Sequence, residues 1–363
     1  MPDTTAPPRG LPTWPVPLAL ALVAVVPFLP ALRGGFVWDD VANFVGNPDY
    51  RGLGWSQITW LATTAYKGHY IPLTWATFGL DYLLWGMTPR GYHLTNLVLH
   101  AVNAALFYLL ARRLLARGTT LAGSPLTVAA VAAAGFFAVH PLRVESVAWV
   151  TERRDVLSGL FFLLAVLAYV AAADTAGARR RRLLVASIAA YAAALASKSI
   201  VMTLPAVLIV LDVYPLRRLP GRLRDWLGPA TRALWLEKLP YVLLTLAGAA
   251  TAYWAQAIET DLGTYPWAAR VAVAAYGVWF YVARTAWPVG LSPLYEVPIP
   301  LDPFEPRFVA SAVIVVAITG VLVLLRRRWP AGLATWAYYG ILLGPVTGLV
   351  VRAGFQLAAD RYS

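Results

Sequence analysis

From Tyr92 to Leu115 the chain reads YHLTNLVLHAVNAALFYLLARRLL, an apolar stretch of bilayer-spanning length with polar side chains at its start and Arg112-Arg113 near its end. The arginines set its direction. Short cytoplasmic loops gather Lys and Arg, so the arginine end lies inside and the Tyr92 end outside. His93 and His100 stand seven residues apart, and Asn96 and Asn103 repeat that spacing, so each pair projects from one face of a helix.

Composition extends this reading to the whole chain of 363 residues. With 59% hydrophobic and 13% charged residues, no water-soluble domain of this size could cover its own surface. The expected fold is therefore all-α, a polytopic integral membrane protein. Apolar stretches of near-spanning length occur at Trp14–Leu32, Tyr92–Leu115, Leu126–Val139, Val156–Ala173, Leu183–Ala196, Ile200–Tyr214, Leu239–Ala257, Trp267–Trp287, Phe308–Leu325 and Gly332–Val351. The first is Pro-rich and lacks a small-residue cleavage signal, so it reads as a retained anchor.

The net charge of +12 comes from clusters at the ends of these stretches: Arg112, Arg113 and Arg117; Arg179 to Arg182; Arg217, Arg218, Arg222 and Arg224; Arg326 to Arg328. That placement fits topogenesis and not nucleic-acid binding. It puts residues 33–91, 140–155 and 197–199 outside. The alternation fails once, between Glu237 and the Arg326 cluster, and Trp267–Trp287 is the expected misfit, lying along the interface or entering and leaving by one face. The absence of cysteine excludes disulfides and thiolate metal sites, and says nothing against an outward-facing site.

Two carboxylates, Asp39-Asp40, follow the first stretch within Phe36-Val37-Trp38-Asp39-Asp40. Adjacent acids are expensive to bury, so they belong at a membrane boundary where one can accept a proton; a solvated loop or helix cap is the plain alternative. Trp55, Trp60, Tyr66, Tyr70, Trp75, Tyr82 and Trp85 recur along residues 33–91. Such density suits an interfacial belt on short membrane-lying helices, or stacking against a sugar or prenyl chain.

These residues also carry a resemblance. Phe36-Val37-Trp38-Asp39-Asp40, His69-Tyr70-Ile71-Pro72-Leu73-Thr74-Trp75, Gly91-Tyr92-His93-Leu94-Thr95-Asn96, the block HPLRVESVAWV from His140 to Val150, Glu152-Arg153-Arg154-Asp155, Ser197-Lys198, Glu237-Lys238-Leu239-Pro240 and Ala359-Asp360-Arg361-Tyr362-Ser363 resemble the transmembrane and tetratricopeptide-repeat-containing O-mannosyltransferases and their bacterial relatives, of the GT-C glycosyltransferase superfamily. The likeness runs over nearly the whole chain from Phe36. Family members continue past the last of these motifs into tetratricopeptide repeats, and no repeat of that period is expected within these residues. Ile71 stands where relatives often carry a basic or imidazole side chain.

The resemblance implies a GT-C transmembrane domain with an anchor at about 14–32, a catalytic extracytoplasmic loop at about 33–91 and membrane helices over about 92–351, in the cell (plasma) membrane. It implies a mannose-like sugar arriving on a polyprenyl-phosphate donor and passing to an acceptor hydroxyl, of a protein Ser/Thr or a glycan, with inversion. Partners are then the lipid bilayer, donor and acceptor, with no nucleic acid. Asp39 or Asp40 would be the base, with Glu145 as substitute or as partner of Arg143. Arg143, Arg153, Arg154, Lys198 and Arg361 are the cations available to a departing phosphate; for Arg153 and Arg154, helix-end pairing with Glu152 or Asp155 is the alternative. Lys198, between two apolar stretches, needs a partner. His69, Tyr70, His93, Asn96 and His140 would shape the donor and acceptor pocket, while His100 reads as an interhelical hydrogen-bonder. Asp81, Asp212 and Glu237 read as an interfacial cap, a cytoplasmic helix end and a topological anchor. No cofactor is required; the resemblance leaves room for a divalent cation, but the dispersed histidines offer no ligand spacing, so no metal site is expected. A transporter or flippase of lipid-linked sugars is the rival class, and would show inverted repeats and mid-membrane polar groups, neither of which the sequence displays.

Overall fold

A computed structural model describes residues 15–257, 266–349 and 356–362. The outermost residues of the first and last apolar stretches, Trp14, Val350 and Val351, and the terminal Ser363 lie outside the described residues. The fold is all-α and polytopic. Its helices run α1 (Pro15–Val25), α2 (Trp55–Thr63), α3 (Pro72–Trp85), α4 (Pro89–Gly118), α5 (Gly123–Val139), α6 (Val144–Ala148), α7 (Arg153–Ala173), α8 (Gly177–Ser197), α9 (Leu204–Val213), α10 (Arg232–Ala257), α11 (Trp267–Ala286), α12 (Pro306–Leu325) and α13 (Pro330–Leu343). Strands β1 (Tyr295–Glu296) and β2 (Gln356–Ala358) pair antiparallel. Proline opens α3, α4, α12 and α13, where its missing N–H would be unsatisfied anyway and its fixed φ suits the first turn.

Five helical segments are long and apolar enough to cross a membrane: Pro15–Arg33, Pro89–Gly118, Val150–Ala173, Pro229–Gln256 and Pro306–Leu325. Among the described residues, Gly123–Val139 and Pro141–Ala148 reach that length only as a pair, bent by 51° at Pro141. Ten stretches were expected from hydropathy, and the difference has identifiable causes. Arginines occupy the first turns of α8, which lowers its apolarity. Ile200–Tyr214 is broken into a 3-10 turn, Ser199–Thr203, and the short α9. Helix α13 stops at Leu343.

The bundle is held by small residues and by polar contacts between helices, the two devices available where lipid removes the hydrophobic drive. Ala24, Ala104, Ala130, Ala134 and Ala138 are fully buried and let α1, α4 and α5 approach closely. His100 Nε2 lies 2.9 Å from the Ala138 carbonyl, as expected of an interhelical hydrogen-bonder, and Asn103 donates to the Val156 carbonyl at 2.7 Å. Ser187 donates to the Ala165 carbonyl (2.7 Å) and accepts from the Tyr241 hydroxyl (2.8 Å), tying α8 to α7 and α10.

At the end of the bundle carrying the Arg179–182 cluster, buried Asp212 pairs with Lys238 at 2.5 Å and accepts from the Tyr169 hydroxyl at 2.7 Å, while Arg218 bridges Asp212 and Glu237. Asp212 and Glu237 are thus members of one ion network, and not merely a helix end and an anchor.

Of the aromatic residues expected in an interfacial belt, Trp75 is buried, within a cluster of rings from residues 44–92. Phe44 and Tyr50 are fully buried, and Trp75, Phe78 and Tyr92 pack around them in mostly edge-to-face contacts 4.6–6.3 Å apart. Short helices α2 and α3 cannot bury an apolar face against each other alone, so their rings turn inward and form a core of their own. Trp55 and Trp85 remain exposed.

Candidate active site

Asp39 and Asp40 have opposite environments. Asp40 is fully buried: Oδ1 accepts from the Thr151 backbone N–H (2.8 Å) and hydroxyl (2.6 Å), and Oδ2 accepts from the Val37 N–H (3.1 Å). Burial pushes its carboxyl above the usual range, opposed by these hydrogen bonds and assisted by the charge of Asp39. Asp39 is exposed and lines a pocket of about 220 Å³ with Asn43, Lys67, His69, Thr151 and Arg154 over a floor of Trp75 and Phe78. The turn that separates the two acids begins at Trp38, whose φ of 51° places a bulky residue in the left-handed region; its ring stands edge-on to Trp149 at 5.5 Å.

Behind Arg154 lies a second feature that the sequence did not reveal. Glu152, fully buried, accepts two hydrogen bonds from Arg154 (3.0 and 2.5 Å), pairs with Lys198 at 3.2 Å and stands 3.5 Å from Arg361. Lys198 also bonds Asp155, and Arg361 bonds Glu145 at 2.5 Å and, through its backbone N–H, at 2.8 Å. Two cations from distant parts of the chain, Lys198 and Arg361, join Arg154 at the acids of the 145–155 segment. The pairing of Arg154 with Glu152 is the helix-end alternative that the sequence offered; the arrival of Lys198 and Arg361 at the same acid is not written in that run.

The other expected site residues are placed as follows. Arg153 is enclosed away from the pocket: it pairs with Asp81 at 2.5 Å, donates to Asn96 Oδ1 and the Tyr92 carbonyl (both 2.8 Å), and lies over the Phe78 ring. Asp81 is therefore its countercharge and not an interfacial cap. Asn96 donates to the Val147 and Trp149 carbonyls at 3.3 Å, bracing the loop that carries Glu152. His93 is buried against Gly34, and Arg143 lies over the Phe137 ring. The expected Arg143–Glu145 partnership gives way to Glu145–Arg361, 216 residues apart. His140 caps Leu142 through Nδ1 (3.2 Å) and faces the Thr285 carbonyl through Nε2 (3.1 Å). Tyr70 donates to the Ala62 carbonyl at 3.0 Å and packs edge-on against Trp254, outside the pocket lining. His69 lies at the pocket rim. Among the described residues, no group of three or more His, Asp or Glu side chains is arranged to hold a metal ion.

On the far side of Trp38 and Trp149 runs an open groove of about 450 Å³ lined by Val37, Val144, Ala148, Leu291 and Pro293, with Glu145, Ser292 and Asp360 at its edge. Asp360 accepts from the Tyr295 hydroxyl at 3.1 Å, and the β1–β2 pairing holds the Arg361 segment against this wall.

No protein-family model and no solved structure matches the chain. Curated relatives do. Over 157 residues it is 38% identical to Protein O-mannosyl-transferase Tmtc1 of Drosophila melanogaster, covering 40% of this chain and 17% of that protein. Over 182 residues it is 36% identical to Protein O-mannosyl-transferase TMTC4 of Homo sapiens (46% and 24%), and over 162 residues 35% identical to TMTC3 of Mus musculus (42% and 16%). The chain thus spans a quarter or less of the length of these relatives. Over that shared stretch the chain is similar to proteins named TMTC O-mannosyl-transferases.

Proposed function

We propose that the protein is a membrane glycosyltransferase that moves a mannose-like sugar from a polyprenyl-phosphate donor to an acceptor hydroxyl; its relatives' names support the O-mannosyl transfer. The observation that carries this reading is the division of labour between the two acids: Asp40 is fixed in hydrogen bonds, and Asp39 faces a pocket that Arg154 also lines. Asp39 is then the base. It takes the proton of the acceptor hydroxyl, the acceptor oxygen bonds to the anomeric carbon, and the bond from that carbon to the phosphate oxygen breaks with its electron pair remaining on oxygen. A phosphate is a weakly basic leaving group, so no general acid is needed, and direct displacement inverts the anomeric centre.

Charge is conserved across the site. Asp39 loses one negative charge as the phosphodiester monoanion becomes a phosphomonoester dianion, so negative charge moves toward the cations Arg154, Lys198 and Arg361. Preorganised cations at that position stabilise the transition state more than the ground state. The apolar groove beyond Trp38 suits a prenyl chain. The positive-inside rule, applied to the arginine clusters of the sequence, supports an extracytoplasmic site.

The test is transfer of labelled mannose from a polyprenyl-phosphate donor in membranes carrying the protein. Lys198→Ala is expected to raise the donor KM about tenfold, the loss of one hydrogen bond to a charged group, with a smaller change in kcat. Absence of transfer by the unaltered protein, with every tested acceptor, would end the transferase reading.

A further inference from the structure

Two cationic side chains line the Asp39 pocket, Arg154 and Lys67, and they differ in commitment. Arg154 is clamped by two hydrogen bonds to Glu152. Lys67 is exposed, and none of the described residues forms an ion pair with it. Its backbone is unusual. Tyr66 and His69 exchange backbone hydrogen bonds (3.0 and 3.1 Å), closing a two-residue turn in which Lys67 has φ 47° and Gly68 φ 71°. Both central residues of such a turn are left-handed, and Asn, Asp or Gly ordinarily occupies the first: Gly has no Cβ to crowd the carbonyl, and the short polar side chains of Asn and Asp hydrogen-bond locally. The turn is anchored to the loop carrying Asp39: the Tyr66 hydroxyl donates to the Ala42 carbonyl at 3.1 Å, and the Tyr66 ring meets Trp75 edge-on at 5.6 Å.

Among the described residues only three non-glycine residues have positive φ; one of them, Lys67, lines this pocket, and a second, Trp38, precedes Asp39 in the chain and lines the neighbouring groove. Strained conformations persist where the surroundings over-determine them, and they concentrate at functional sites. A lysine held at a position better suited to asparagine therefore needs a reason, and the pocket supplies one. We propose that Lys67 binds the phosphate of the lipid-linked sugar and follows the charge that grows on it during transfer.

This inference rests on the transferase reading and adds a residue to it. The sugar-phosphate bond breaks with its electrons on the phosphate oxygen, the proton rests on Asp39, and the phosphate gains one negative charge. Arg154 could turn toward that charge only by giving up its two hydrogen bonds to Glu152. An uncommitted ammonium on a flexible four-carbon stem can turn, and an exposed one can also let the product go.

The decisive variant is Lys67→Asn, because asparagine suits the left-handed backbone and removes only the charge. It is compared with Lys67→Arg, Asp39→Asn and the unaltered chain. Two readouts serve: mannose transfer from a short-chain polyprenyl-phosphate donor, and equilibrium binding of the corresponding prenyl monophosphate. Lys67→Asn is expected to melt no lower than the unaltered protein, yet to weaken monophosphate binding and raise the donor KM about tenfold each. Lys67→Arg should recover most of both, and Asp39→Asn should lose transfer while still binding the monophosphate. Unaltered constants in Lys67→Asn would overturn the proposal and leave the transferase reading standing. Equal losses in the Asn and Arg variants would assign the position to the turn and overturn it as well. An unaltered protein that neither transfers mannose nor binds the monophosphate would remove the transferase reading, and the role of Lys67 with it.

Discussion

Asp39→Asn is expected to lower sugar transfer by about 10²–10⁴-fold, the range contributed by a positioned general base, with unchanged melting and donor binding. The amide has the size of the carboxylate, and Asp39 is exposed at the pocket, so nothing in the packing depends on its charge. Asp40→Asn is expected to behave differently. Its carboxylate accepts three hydrogen bonds from Thr151 and Val37, and an amide can accept on one side only. One buried N–H would face another donor, at a cost of about 1–3 kcal/mol. The Asp40 variant should therefore melt lower and lose transfer in proportion to the loop that it loosens. Parallel measurement of melting and transfer separates the two acids: full activity in Asp39→Asn beside a stable but inactive Asp40→Asn would move the base to Asp40.

The largest loss of stability is expected at the Arg153–Asp81 pair. Both side chains are buried, and Arg153 also holds Asn96 and the Tyr92 carbonyl. Asp81→Ala leaves the guanidinium without its countercharge inside the fold, which costs about 3–5 kcal/mol. Replacing both partners by apolar residues, Asp81→Leu with Arg153→Met, should cost less than Asp81→Ala alone, because no unpaired charge remains. Thermal unfolding in detergent checks this directly. A double variant that is no more stable than Asp81→Ala would show that the hydrogen bonds of Arg153, and not the ion pair, hold this junction.

How far the sequence reached depended on the range of the interaction involved. Bilayer-length apolar runs and arginine-marked ends are local, and they identified a helical polytopic protein from composition and hydropathy alone. His100 was legible as an interhelical hydrogen-bonder because a lone polar group on an apolar helix must find a partner nearby. The burial of Trp75 was not legible, because a ring suited to an interface is equally suited to a buried core, and only packing chooses between them. The break of Ile200–Tyr214 into a 3-10 turn and α9 was not legible, because hydropathy does not report backbone geometry.

The sequence by itself determined the class of fold, the position of the acid pair, and the motifs shared with O-mannosyl-transferase relatives, since each is written in consecutive residues. Tertiary structure decided which acid faces the pocket, which arginine is buried as a brace, and which cations meet at Glu152. Those choices join Asp40 to Thr151, Arg153 to Asp81 and Arg361 to Glu145, pairs far apart along the chain. A carboxylate becomes a base or an anchor according to the donors that surround it, and those donors arrive only when the helices pack.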